Sequence, residues 1–183
     1  PDGVAVAGQA AFATGRLSGA ESSEAVANEA AALVQVLTGF DRVWAYRFEP
    51  DGHGVIVAEQ RPDTLEPFLG LHFPETDIPS QARALYLTSG VRLIGDTNRS
   101  DVPLIPEINP VTGQRLDLSD TDLRGVSPIH VRYLRNMGVR TSMSIPLVVE
   151  GRLWGLLSAH HYSGGHEVSM LVRCQCAGLG RLT

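Results

Sequence analysis

Four polar residues, Ser142, Ser144, Ser158 and His160, fall inside the most apolar stretch of this chain. Hydroxyls and an imidazole within strand-like sequence suit a ligand's carboxylate or carbonyl, or else mark a solvated outer face. Their grouping depends on a turn. Residues 140–149 and 152–162 flank Glu150-Gly151 and read as a hairpin. A two-residue loop sets the serines of the first strand on the face opposite His160. A three-residue loop with Gly151 left-handed in a G1 bulge instead pairs even-numbered residues with even-numbered ones. The second is expected, because it leaves Met143, Ile145, Leu147, Leu153, Leu157 and Ala159 as one apolar face and gathers the polar groups on the other.

His130 and Tyr133 stand three apart with Met137 four further on, one stripe of a short helix. Taken alone, His130 reads more readily as a core histidine bonded to backbone than as a ligand-binding group. All 15 basic residues are arginines, and lysine is absent. That removes Schiff-base, P-loop and kinase-type lysines together. Lone arginines are usually solvated, but Arg83, Arg92 and Arg124 near one sheet face suit a carboxylate or phosphate, since guanidinium pairs bidentately with planar anions. Metal chelation is not expected: His160 and His161 point to opposite strand faces, and the six histidines lack acidic partners at ligand spacing. With no G-x-S-x-G elbow and no glycine-rich phosphate loop, catalytic turnover is not expected either.

The elements that must position these groups follow from periodicity. Residues 22–37 repeat apolar side chains at three- and four-residue steps before Gly39, a helix with its C-cap; residues 4–17 look similar but weaker. Residues 41–48 and 54–59 alternate around Asp51-Gly52 as an antiparallel hairpin. Pro79 stands at an expected first helical position, with Ala82, Leu85 and Tyr86 on one face up to Ser89-Gly90. Residues 91–96 form a strand, and 97–118, with Pro103, Pro106 and Pro110, form a long loop of the kind that is usually functional. Ser127 caps a short helix, with Pro128 in its first turn, that Gly138 ends. Residues 167–182 place Val168, Leu171, Val172, Cys176, Leu179 and Leu182 on a closing helical stripe. The sum is an α+β domain: an antiparallel sheet of five to six strands flanked by helices.

Length and composition agree with one domain over 1–183. At 183 residues, 43% apolar and 19% charged, the chain needs no disulfide or metal staple. A net charge of −5 argues against nucleic acid and a polybasic membrane patch. The two cysteines, Cys174 and Cys176, fit neither a zinc pattern nor a secreted framework, so a cytoplasmic setting is expected. No membrane-spanning run or leader is present, and Pro1 as first residue suggests a piece of something longer.

Four segments stand in order at family-like spacing: FDRVWAYRFEPDGHG, LGLHFPETDIPSQARALY, VSPIHVRYLRNMGVRTSMSIPL and GRLWGLLSAHHYS. They resemble the bilin-binding GAF domain of phytochromes, in the bacteriophytochrome branch. The resemblance covers about residues 22–163, with flanking helices at 1–21 and 164–183. It implies the GAF fold and a red/far-red photosensor that binds biliverdin or a related open-chain tetrapyrrole and signals by light-driven double-bond isomerisation. An output domain and a homodimer through the terminal helices are implied as partners. The alternatives are a GAF interaction or ligand-sensing module without pigment, and a bilin carrier.

Carried over by residue, the resemblance puts Asp77 beside the pyrrole nitrogens, with Ile78 and Pro79 shaping the backbone there. His130 stacks near the inner rings. Arg92 and Arg124 meet propionates with Tyr86 nearby, and Ser142 and Ser144 meet the other propionate. Tyr46, Phe73 and Tyr133 surround the ring that isomerises, and His160 partners its carbonyl. Ser127 and Ile129 belong to the SPIH motif. Ile129 replaces the cysteine of plant and cyanobacterial phytochromes, which excludes a thioether there. Bacteriophytochromes attach biliverdin through a cysteine ahead of their PAS domain, outside these 183 residues, so a non-covalent bilin is expected. The family's usual PASDIP reads PETDIP here, adding Glu75. The family also threads an N-terminal segment through the 97–118 loop, which is expected to be looser without it.

Overall fold

Helix α1 (Ser23–Thr38) begins where the Ser22 hydroxyl accepts from the amide of Ala25 and ends at left-handed Gly39. The computed structural model describes residues 22–100, 102–119, 121 and 123–181. The helix expected at 4–17 and Leu182 lie outside them. Strands β1 (Arg42–Phe48) and β2 (Gly54–Gln60) form the first hairpin, followed by a two-residue β3 (His72–Phe73) that periodicity does not signal. A 3-10 turn (Glu75–Asp77) leads to α2 (Ser80–Thr88), then β4 (Arg92–Ile94). After the long loop come α3 (Pro128–Asn136), β5 (Thr141–Val149), β6 (Arg152–His161) and α4 (Met170–Leu179).

The strands make one six-stranded sheet in the order β3-β2-β1-β6-β5-β4, antiparallel at each pairing. This is the expected α+β architecture. Its rear face carries Val43, Ala45, Ala58, Met143, Ile145, Leu147, Leu157 and Ala159, packed with α1 and α4 into the main core. α1 contributes Ala27, Ala30, Ala31 and Val34, small side chains that let the helix lie close to the sheet. Burying a side chain of Val or Leu size there contributes about 1.5–3 kcal/mol.

The second hairpin reaches the expected face pairing by another route. Glu150 (φ 49) and Gly151 (φ 76) are both left-handed, the signature of a two-residue I′ turn, which corrects the three-residue loop. Val148 pairs with Leu153 but Leu147 with Gly155, so Trp154 is an extra residue in β6. That bulge shifts register by one, and Ser142 still faces His160 while Ser144 faces Ser158. Trp154, rather than Leu153, packs against the main core.

Three boundaries also move. Pro79 is the N-cap of α2 rather than its first residue, because its extended ψ of 161 keeps it outside the helix while its carbonyl accepts from Ala82 and Arg83. The strand expected at 91–96 is confined to Arg92–Ile94. α4 starts at Met170 because the Ser169 hydroxyl caps it by accepting from Val172. It buries Cys176 and Leu179, with Val172 partly buried beside them, and Leu171 is 57% exposed instead of buried.

Candidate ligand site on the front face of the sheet

Strand alternation fixes what lines the front face. β1 presents Arg42, Trp44 and Tyr46 in register with His160, Ser158 and Leu156 of β6. β5 adds Ser142 and Ser144, which face Ile94 and Arg92 of β4. Ser142, Ser144 and His160 are all buried, so the solvated-face alternative does not hold.

At the β4 edge the face is cationic. Arg92 pairs across the ladder with Ser144 and donates through Nη2 to the carbonyl of Arg124. Arg124 Nη1 donates to Ser89 Oγ at 3.0 Å and to the carbonyls of Thr121 and Ser119 at 3.4 and 3.5 Å. The three oxygens that Arg124 meets are neutral, so its guanidinium charge can also serve an anion. Burial pushes the Tyr86 phenol up, while a hydrogen bond with Ser144 and the charges of Arg124 and Arg92 pull it down. Tyr86 therefore completes the corner. Arg83 does not join it. Its Nε donates to the Ile78 carbonyl at 2.7 Å, Nη2 donates to the Gly52 carbonyl, and the guanidinium lies 4.4 Å from the Phe48 ring centre. Arg83 and Tyr86 leave the same helix in different directions, so the three-arginine expectation is corrected to two.

The opposite end is aromatic. Trp44, Tyr46 and Ile56 are buried, with Phe48, Phe68, Phe73 and Ile78 packed on them. Trp44 meets the His160 ring edge-on at 4.4 Å and the Phe68 ring at 5.5 Å. Tyr46 lies 6.1 Å from Phe73. Gly54 is where β2 crosses the Tyr46 ring: a Cβ there would stand 1.8 Å from Tyr46 Cζ. No side chain but hydrogen fits.

His160, its Nδ1 buried and without a hydrogen-bond partner among the described residues, is pushed down to about 3, first by burial and then by electrostatic repulsion from His130 and Arg42. The Tyr46 hydroxyl is likewise buried without a partner, and burial pushes it up, with Arg83 opposing and Asp77 reinforcing. Orphaned polar atoms of this kind are rare in folded proteins and mark a missing partner.

α3 and the 3-10 turn stand over the middle. His130 of α3 is half-buried, and burial lowers its basicity. Tyr133, 38% exposed, donates to Asp77 Oδ2 at 3.4 Å; burial first, then the Asp77 charge and this hydrogen bond, push the phenol up to about 12. Asp77 itself is exposed on the 3-10 turn. Glu75 is also exposed and rests against Gly52. Met137 leaves the His130 stripe and packs with Ile94, Leu134 and Val139. Ser127 caps α3 without a side-chain hydrogen bond, and Ile129 is 69% exposed in the first turn. His161 points rearward, with Nδ1 2.9 Å from Asp41 Oδ2 and its ring 4.7 Å from that of His166.

Trp44, Arg42, Ile56 and Phe68 belong to this face and were not singled out by sequence. The first two share the parity of Tyr46 in DRVWAYRF, a signal that alternation alone carries. Among the described residues no group of three or more His, Cys, Asp or Glu could hold a metal, and no helix is long and apolar enough to cross a membrane.

Comparison with known proteins places this fold. The chain is 54% identical over 127 residues to a bacteriophytochrome of Pseudomonas aeruginosa, covering 69% of this chain and 17% of that protein. It is 44% identical over 149 residues to cyanobacterial phytochrome A of Nostoc sp., covering 81% of this chain and 19% of that one. The solved chromophore-binding domain of an unusual bacteriophytochrome from R. palustris superposes with a TM-score of 0.92 at 40% identity, over 98% of this chain and 60% of that one. The chain thus spans about a fifth of its full-length relatives. Residues 22–174 match the family model described as the GAF domain, and the chain belongs to the GAF domain family.

Proposed function

We propose that this chain is a single GAF domain that binds a biliverdin-type open-chain tetrapyrrole and serves as a red/far-red photosensor. The carrying observation is one buried face with a cationic corner at Arg92 and Arg124 and, at the other end, an aromatic pocket holding the orphaned His160 Nδ1 and Tyr46 hydroxyl. A long conjugated body with two carboxylates needs apolar walls plus a few convergent cations and donors. The residues present fit that group.

When bound, the pigment supplies a conjugated system that absorbs red light and a double bond that turns on excitation. Arg92, Arg124 and Tyr86 hold one propionate, and Ser142 and Ser144 the other. Each charge-assisted hydrogen bond there contributes about 1.5–3 kcal/mol. Asp77, exposed and ionisable, accepts hydrogen bonds near the pyrrole nitrogens, with Ile78 and Pro79 holding its turn. His130 stands over the inner rings near Ser127 and Ile129. Tyr46, Phe73 and Tyr133 bound the outer ring, and neutral His160 offers its hydrogen bond to that ring's carbonyl. A change of partner at this end passes to the sheet hairpin or the 97–118 loop, and so to an output domain. The domain performs no turnover of its own. It works in the cytoplasm as a homodimer through its terminal helices, an arrangement that suits the exposed Met170 and Leu171 of α4.

The test is to add biliverdin to the purified chain and record absorption and red-light difference spectra. A red-absorbing complex that photoconverts supports the reading. No complex leaves a GAF interaction module, and a complex without light response leaves a bilin carrier.

A further inference from the structure

Arg42 opens β1 with only 2% exposure, the largest side chain among those fully buried. A guanidinium so placed persists only with partners. Its Nη2 donates to the Glu66 carbonyl at 2.6 Å. Its Nε stands 3.5 Å from Glu59 Oε1, an ion pair whose side chains are 2% and 3% exposed. Its central carbon lies 3.9 Å from the Phe68 ring centre. Glu59 closes the clamp, with Oε2 accepting from the amides of Phe68 at 2.8 Å and Leu69 at 3.1 Å. Nη1 of Arg42 is buried and unbonded among the described residues, and across the β1–β6 ladder Arg42 is in register with His160.

The geometry points to Arg42 as a positioning residue for the outer ring of the pigment: with Glu59 it fixes the 66–69 turn, and so sets the Phe68–Trp44 wall beside His160. This rests on the bilin reading. The turn has no regular secondary structure of its own; the clamp ties it to the sheet together with Arg61, whose Nη1 donates to the Leu65 carbonyl at 2.6 Å, and with the Gly70 amide, which donates to the Ile56 carbonyl at 2.9 Å. A fixed positive charge in register with His160 also opposes protonation of that imidazole. The charged and titratable groups around His160 include Arg42 of β1, His130 of α3 and, paired to Arg42, Glu59 of β2, whose other oxygen pairs with Arg61.

Arg42→Met alone leaves Arg61, with Nε 3.7 Å from Oε2, as the counter-charge of the buried Glu59 carboxylate, so the double variant Arg42→Met with Glu59→Gln carries the test, its fold checked by circular dichroism. In pigment-free protein, ring 15N shifts of His160 are followed against pH. The protonation midpoint is expected to rise above that of the wild type. With biliverdin, the Kd is expected to change by less than about threefold while photoconversion yield falls by about tenfold, since a loosened wall misplaces the reacting ring. A folded double variant with wild-type photoconversion overturns the proposal. If the wild-type chain forms no red-absorbing complex, the bilin reading falls. The His160 titration then decides Arg42 by itself: a raised midpoint supports its control of that imidazole, and an unmoved one overturns it.

Discussion

Ser142 of β5 and His160 of β6 face each other directly across the sheet, both buried, and Nδ1 of that imidazole has no hydrogen-bond partner among the described residues. A hydroxyl and a neutral imidazole in one dry place cost desolvation unless something completes their hydrogen bonds.

Stability of the pigment-free chain should fall on mild acidification. His160 is held at about 3 against an ordinary value near 6.5, and burial lowers His130 in the same direction. Above pH 6.5 both states are neutral and stability is full. As pH falls from there toward 3, the unfolded chain binds protons that the folded chain refuses, so stability declines by about 1.4 kcal/mol per pH unit for each such proton. Urea melts between pH 7.5 and 5 measure the slope. A flat profile would mean that His160 finds a partner or water in solution.

His130→Ala should weaken or shift the red band of the biliverdin complex, because His130 faces the site. His161→Ala should leave the band in place and lower Tm instead, because that ring lies rearward among Asp41, Phe40 and His166. Equal spectral effects would contradict the face assignment.

Arg124→Ala should weaken biliverdin binding by the worth of a charge-assisted hydrogen bond, about 1.5–3 kcal/mol or roughly 10- to 150-fold. Esterifying both carboxylates of the pigment provides the control. The ester should bind the wild type more weakly, and Arg124→Ala should add little further loss. Equal losses for acid and ester would place Arg124 away from the carboxylates.

Gly54→Ala forces the Tyr46 ring aside, since its Cβ falls 1.8 Å from Cζ. Overpacking of this kind costs about 1–3 kcal/mol. Thermal melts should show the loss, and the pigment band should broaden because Tyr46 lines the aromatic end. A stable Gly54→Ala variant with an unchanged band would show that Tyr46 can yield without consequence.

Much of the molecule is local and was therefore legible. α1 has its Ser22 cap and Gly39 stop, the strands alternate, and the placement of Ser142, Ser144 and His160 on one face follows from a side-chain period of two. The face pairing survived a wrong turn type, because a one-residue bulge at Trp154 has the same effect on register as a one-residue longer loop. Local sequence fixes parity only up to such compensation.

What tertiary structure alone decided concerns long side chains and contacts far apart in sequence. Arg83 and Arg92 are both expected near one sheet face, yet Arg83 ties Gly52 to Ile78 while Arg92 stands in register with Ser144, because the reach of the Arg83 guanidinium lets its partners, not its helix face, choose direction. Arg42 carries no signal in sequence beyond its parity with Tyr46. Its burial depends on Glu59 and on a turn more than 20 residues away, at Glu66. Sequence therefore determined which strand positions face the site and which residue types line it. The packing of distant segments over that face decided which of those polar atoms are left without partners.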